Sequence, residues 1–120
     1  MTEERRQSVR IASKLTTFIK FPQTGKVVRG LTNDLSGVGI GFTAQGAFEP
    51  GDPLEIELTL PDRTVPIRFM AEVVWSIVEH AGQHAQEPSL GVGVKFVSID
   101  PKDRTAIMQY ARLNATPPGP

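Results

Sequence analysis

Residues 54–60, Leu-Glu-Ile-Glu-Leu-Thr-Leu, alternate apolar and polar side chains without a break. A backbone with that period has one dry face and one wet face only as a β-strand, because a helix would scatter the same residues around its circumference. Other stretches repeat the pattern. Leu15, Thr17, Ile19 and Phe21 alternate with Thr16, Phe18 and Lys20, and a second strand follows from Lys26 to about Asn33. Ile40 and Phe42 belong to a short third strand whose other face, with Gly37, Gly39 and Gly41, carries almost no bulk, so that something can approach its backbone closely. In a long strand Ile67, Phe69, Ala71, Val73, Trp75 and Ile77 share one face, which places Phe69 and Trp75 in the core rather than on a base-stacking platform. In the last strand, Leu90 to Val97, Val92, Val94 and Phe96 face one way and Gly91, Gly93 and Lys95 the other. Turn-forming clusters separate these runs: Pro22 to Gly25, Asp34 to Gly37, Glu49 to Asp52 and Pro61 to Thr64.

One segment reads as helix. Asp100 stands at the N-cap, Pro101 at the first helical position and Asp103 in the first turn, and Ile107, Tyr110 and Ala111 recur at helical spacing. It ends near Asn114, because Pro117, Pro118 and Pro120 cannot continue it. About six strands in hairpin-like succession and one closing helix predict a mainly all-β fold, a six-stranded antiparallel β-barrel with a C-terminal α-helix. The 120 residues divide into a flexible Arg-rich arm (1–13), the barrel and helix (14–114) and a Pro-rich tail (115–120). Met1 and that tail fit a complete small protein.

The formal net charge is zero, with 13 basic and 13 acidic side chains, but the signs are segregated. Residues 1–30 hold seven basic groups against Glu3 and Glu4, a net of +5, and the remaining residues carry −5. A neutral total argues against a nucleic-acid coat protein, whereas a basic head fits a small anion met by a few placed arginines. With no cysteine, disulfides and thiolate chemistry are excluded, in keeping with a reducing cytoplasm. The polar start is no secretory signal, and no apolar run is long enough to span a membrane.

Two short constellations carry the chemistry. Arg6-Gln7-Ser8-Val9-Arg10, with Arg5 just before it, sets two guanidinium groups four residues apart, on one side of an extended arm. A guanidinium pairs bidentately with phosphate or with the O6/N7 edge of guanine and also stacks on a base. Alone, such spacing is more often a solvated basic tail. Asp34-Leu35-Ser36-Gly37-Val38-Gly39 follows a strand and opens a turn. Its Asp34 carboxylate accepts the N–H donors of a guanine edge, Ser36 adds a hydroxyl, and Gly37 and Gly39 allow positive φ and close approach. Alone, it is more often a self-satisfied turn.

Together and in this order, the two motifs resemble the signature of the PilZ domain family: R-x-x-x-R at the start of the domain, then D/N-x-S-x-x-G between early strands. The resemblance covers roughly residues 4–112, including the Gly-Val-Gly-Val-Lys-Phe of the last strand and the helix. It implies a barrel that binds the bacterial second messenger cyclic di-GMP, with Arg6 and Arg10 gripping guanine and phosphate and Asp34, Ser36 and Gly39 holding the other guanine edge. Arg5 is similar to an arginine that goes with an intercalated ligand pair in the family. Gly93 and Lys95 are expected at the rim. The resemblance further implies a non-enzymatic cytoplasmic receptor without cofactor, metal or DNA or RNA partner. It would relay the ligand as a conformational change to a downstream protein of motility or exopolysaccharide machinery. The alternative is a protein-interaction adaptor whose nucleotide site is incidental or lost. Rival signals fall away: Gly37-Val38-Gly39-Ile40-Gly41 lacks the βαβ frame of a dinucleotide loop, and His80 and His84 flank Gly82 in a loop-like stretch rather than on a helix.

Overall fold

The computed structural model describes residues 11–80 and 88–114. Seven strands and one helix follow one another: β1 (Ile11–Ala12), β2 (Thr16–Lys20), β3 (Val27–Leu35), β4 (Gly39–Gln45), β5 (Pro53–Leu58), β6 (Ile67–His80), β7 (Ser89–Ser98) and α1 (Pro101–Asn114). Every pairing is antiparallel. The hydrogen-bonded order β3-β2-β5-β6-β7-β4 closes on itself through β3–β4, giving a six-stranded barrel whose long strands leave no open edge. The fold expected from the alternation is therefore the one observed.

β1 had no sequence signal of its own. Ile11 and Ala12 pair with Leu35 and Asp34, and β2 continues along the same side of β3 after a short break. Thr32 holds that break together: its buried hydroxyl donates to the Ser13 carbonyl and accepts the Leu15 N–H at 2.8 Å. Strand pairing thus begins inside the segment read as an arm.

The dry faces meet in one core. Leu54, Ile56, Leu58 and Leu60, the most regular alternation in the sequence, are buried together with Ile19, Leu35, Ile40, Phe42, Ile67, Phe69, Val73 and Val92. Phe42 and Phe48 cross edge to face at 5.6 Å between centroids, as do Phe69 and Phe96 at 4.9 Å. α1 closes one end with Ile107 and Ala111 buried, touching β1 and β3. Its start is locally encoded: Asp100 Oδ1 accepts the Lys102 N–H at 2.8 Å while Pro101 occupies the position that needs no N–H. The positive-φ residues of the described chain, Gly25 (φ 77°), Gly46 (φ 135°) and Gly51 (φ 95°), all lie in connections.

In β6 the expected phase fails halfway. Ile67, Phe69, Ala71 and Val73 face the core, but Trp75 and Ile77 lie outside with relative exposures of 43% and 58%. The cause is a bulge: the register with β7 slips between Val73 and Trp75, and the inserted residue carries Trp75 and Ile77 to the opposite face before the register slips again between Val78 and His80.

Candidate functional site

A second bulge builds the corner where β3 meets β4. Their register slips between Thr32 and Asp34, so Thr32 and Leu35 are buried while Asn33 and Asp34 both project outward. Asp34 lies over Gly41, where a Cβ would stand 3.0 Å from its Oδ2. Ser36 turns the chain toward β4. Its fully buried hydroxyl donates to the Gly39 carbonyl at 3.1 Å and accepts the N–H groups of Val38 (3.2 Å) and Gly39 (3.3 Å). The hydrogen-bonding capacity of Ser36 goes into the turn, and its surface is closed to solvent.

The reason for Gly37 and Gly39 also changes. Neither has positive φ. What each provides is room. A Cβ on Gly37 would come within 2.7 Å of Met108 Cγ, and one on Gly39 within 2.0 Å of the Val94 carbonyl oxygen. Arg104 Nε, from the first half of α1, donates to the Gly37 carbonyl at 2.7 Å. The turn is thus held between the barrel and the helix.

The glycine-bearing faces of β4 and β7 lie side by side on the outside of the barrel, Gly41 opposite Gly93 and Gly39 opposite Lys95. Their missing side chains leave a trough with Asp34 along one side. β6 supplies the other side: Trp75 lies over Gly93, whose Cβ would be 2.3 Å from the indole Nε1. Between them is a hollow of about 150 Å³ lined by Val38, Gly39, Gly41, Trp75, Gly93 and the exposed Lys95. The sequence reading missed Trp75 because it carried the alternation unbroken through Val73 and Val74. The run of glycines opposite was the available signal, since bulky side chains there would exclude an indole.

Of the expected site residues, Asp34, Ser36, Gly37, Gly39, Gly93 and Lys95 gather at this one corner. Arg5, Arg6, Arg10 and His84 lie outside the described residues. Ile11, the covalent neighbour of Arg10, pairs with Leu35, flanked by Asp34 and Ser36. A carboxylate acceptor, an indole face and an ammonium group around a shallow floor suit a flat heteroaromatic ligand with negative charge. No group of metal-ligating side chains occurs among the described residues. A larger hollow of about 260 Å³ lies past the far end of β4, where Asp52 and Lys26 stand with the phenyl ring of Phe21 in place of an indole.

Comparison with known proteins agrees with this architecture. A search of curated protein sequences gave no match. Among solved structures, the Bacillus subtilis inhibitor of motility MotI/DgrA superposes with a TM-score of 0.73 at 24% identity, over 92% of this chain and 53% of that one. The PilZ domain of Escherichia coli YcgR with c-di-GMP gives 0.69 at 17% identity, over 91% and 90%. The K. pneumonia MrkH-c-di-GMP complex gives 0.68 at 16% identity, over 88% and 50%. The chain thus spans about half the length of the MotI/DgrA and MrkH chains. At these identities the likeness is one of fold. The family-level match is to the PilZ domain and runs over residues 4–113, nearly the whole chain and both motifs, so this protein belongs to the PilZ domain family.

Proposed function

We propose that this protein is a receptor for cyclic di-GMP that passes the signal on through its C-terminal helix. The observation that carries this reading is the pairing of Ile11 with Leu35, which brings the chain directly after the R-x-x-x-R motif to the Asp34 corner. The residue that follows the first motif and the residues of the second thereby meet beside the trough. The solved PilZ domain of YcgR and MrkH, both with c-di-GMP, share the fold. Arg6 and Arg10 would supply the guanidinium groups for the phosphates and a guanine, Asp34 the acceptors for a Watson–Crick edge, Trp75 a stacking face and Lys95 a rim cation.

Trp75 is the single tryptophan of the chain and lines the trough, which makes it a reporter. Titration with cyclic di-GMP is expected to quench its fluorescence saturably at micromolar protein, and Arg10→Ala to weaken the response at least tenfold. No change in emission, together with no heat in calorimetry, refutes the reading. The calorimetric stoichiometry, one ligand or two per chain, tests the intercalated pair that Arg5 implies.

Arg104 and Met108 give the relay a physical path, since both rest on Gly37 three residues from Asp34. A ligand that pulls on Asp34 shifts this turn, and the helix bolted to it shifts as well. Leu113, 81% exposed on α1, would then be offered to a downstream protein in a new position. Arg104→Ala is expected to bind cyclic di-GMP still but to lose the ligand-induced change in amide exchange along α1. The same exchange change in variant and wild type refutes the relay.

A further inference from the structure

Beyond Trp75 the trough does not run on open. Glu79 of β6 reaches flat across β7, where a Cβ on Gly91 would lie 2.5 Å from its Oε2, and its Oε1 accepts the Thr43 hydroxyl of β4 at 3.0 Å. Thr43 Oγ1 in turn accepts the Asn33 amide at 2.9 Å, and Asn33 Oδ1 accepts Lys14 Nζ at 3.3 Å. A side chain with three rotatable bonds is thus fixed over a glycine by a chain of hydrogen bonds anchored on β3. The order it loses has been given up before any ligand arrives. Its carboxylate still has acceptor capacity, because Thr43 occupies one of about four lone-pair sites.

The position matters as much as the chemistry. Asp34 leans over Gly41 and Glu79 is bonded to Thr43, two residues further along the same strand. That step is about 7 Å, twice the rise per residue. Two carboxylates at successive outward positions of one strand offer acceptors to two guanine edges, each with adjacent N1–H and N2–H donors. An adenine places an acceptor where guanine has N1–H and would set a lone pair against the carboxylate.

From this geometry we infer that Glu79, positioned by Thr43 and Asn33, is a second guanine-reading carboxylate, so that the protein demands guanine at both bases of a cyclic dinucleotide. The inference rests on the receptor reading above and adds a specificity determinant to it. A strut that merely tied β6 to β4 would have no effect on base selectivity, which sets the measurement.

The test compares affinities for cyclic di-GMP and for the mixed cyclic guanosine–adenosine dinucleotide, in the wild type, Glu79→Gln, Thr43→Val and Asp34→Asn. Glu79→Gln keeps the length and an oxygen for Thr43 but replaces one acceptor by a donor. The wild type is expected to prefer cyclic di-GMP, and Glu79→Gln to reduce that preference about tenfold, the scale of one bidentate base contact. Thr43→Val, which frees the carboxylate without removing it, is expected to reduce it less. If cyclic di-GMP binds in an Asp34-dependent way while the preference is unchanged in Glu79→Gln, the inference is overturned and the receptor reading survives. If the wild type binds neither dinucleotide, both fall together.

Discussion

Gly39→Ala is expected to unfold this barrel more readily than any substitution at a ligand-facing position. The added methyl would stand 2.0 Å from the Val94 carbonyl oxygen and 3.0 Å from Lys95 Cα, both backbone atoms of the neighbouring strand. A flexible side chain could swing aside, but a ladder strand cannot. β4 and β7 must separate locally, straining a pairing that runs in register from Gly39–Lys95 to Gln45–Ser89 and abuts the buried Ile40 and Phe42. Overpacking against fixed atoms costs about 3 kcal/mol at the upper end of its usual range, which for a domain of this size lowers Tm by roughly 10 °C. Gly41→Ala is the control. There the nearest atoms are the Asp34 carboxylate oxygens at 3.0 and 3.2 Å, the far end of a side chain that can turn away. It should leave Tm within a few degrees while moving Asp34 out of place. Thermal melts of the two variants decide the matter, and a Gly39→Ala melt within a few degrees of wild type would mean that the strand contact yields after all.

The contrast between these two glycines marks how far the sequence could be read. Short-range signals carried well: Asp100-Pro101 starts the helix, the Leu54–Leu60 alternation faces the core, and the bare faces of β4 and β7 are indeed bare. Those features depend on neighbours in the chain, so residue order encodes them. What came out differently depends on contacts between distant segments. One inserted residue between Val73 and Trp75 moved the indole from the expected core to the trough, and period-2 reasoning has no means to place such an insertion. The space beside the glycines was anticipated, yet the chain's own side chains take much of it: Asp34 over Gly41, Trp75 over Gly93, Glu79 over Gly91 and Met108 over Gly37. Likewise the Ser36 hydroxyl, read from residue type as a ligand contact, maintains the turn that carries Asp34. Which groups meet a ligand and which merely position them is set by burial, and burial is a property of the closed barrel.

Asp34→Asn is the substitution expected to affect ligand binding most. Asparagine has nearly the same shape and can rest over Gly41 as aspartate does, so the Cβ position, the bulge and the turn are unchanged. One acceptor oxygen becomes a donor amide, however, and a guanine edge presents two donors. One hydrogen bond is lost and a donor is set against a donor, at a combined cost of about 3 kcal/mol, or roughly a hundredfold in affinity for cyclic di-GMP. Loss of the negative charge works in the opposite direction. It removes repulsion toward the ligand's phosphates, but those interact across solvent and salt screens them. The hydrogen-bond term should therefore prevail, and the affinity loss should change little between low and high ionic strength. Calorimetry at two salt concentrations, together with a thermal melt of the free protein, tests each part. Unaltered affinity in Asp34→Asn would assign the carboxylate to bracing β3 against β4, a role in which Asp34→Ala lowers Tm and leaves the ligand unaffected.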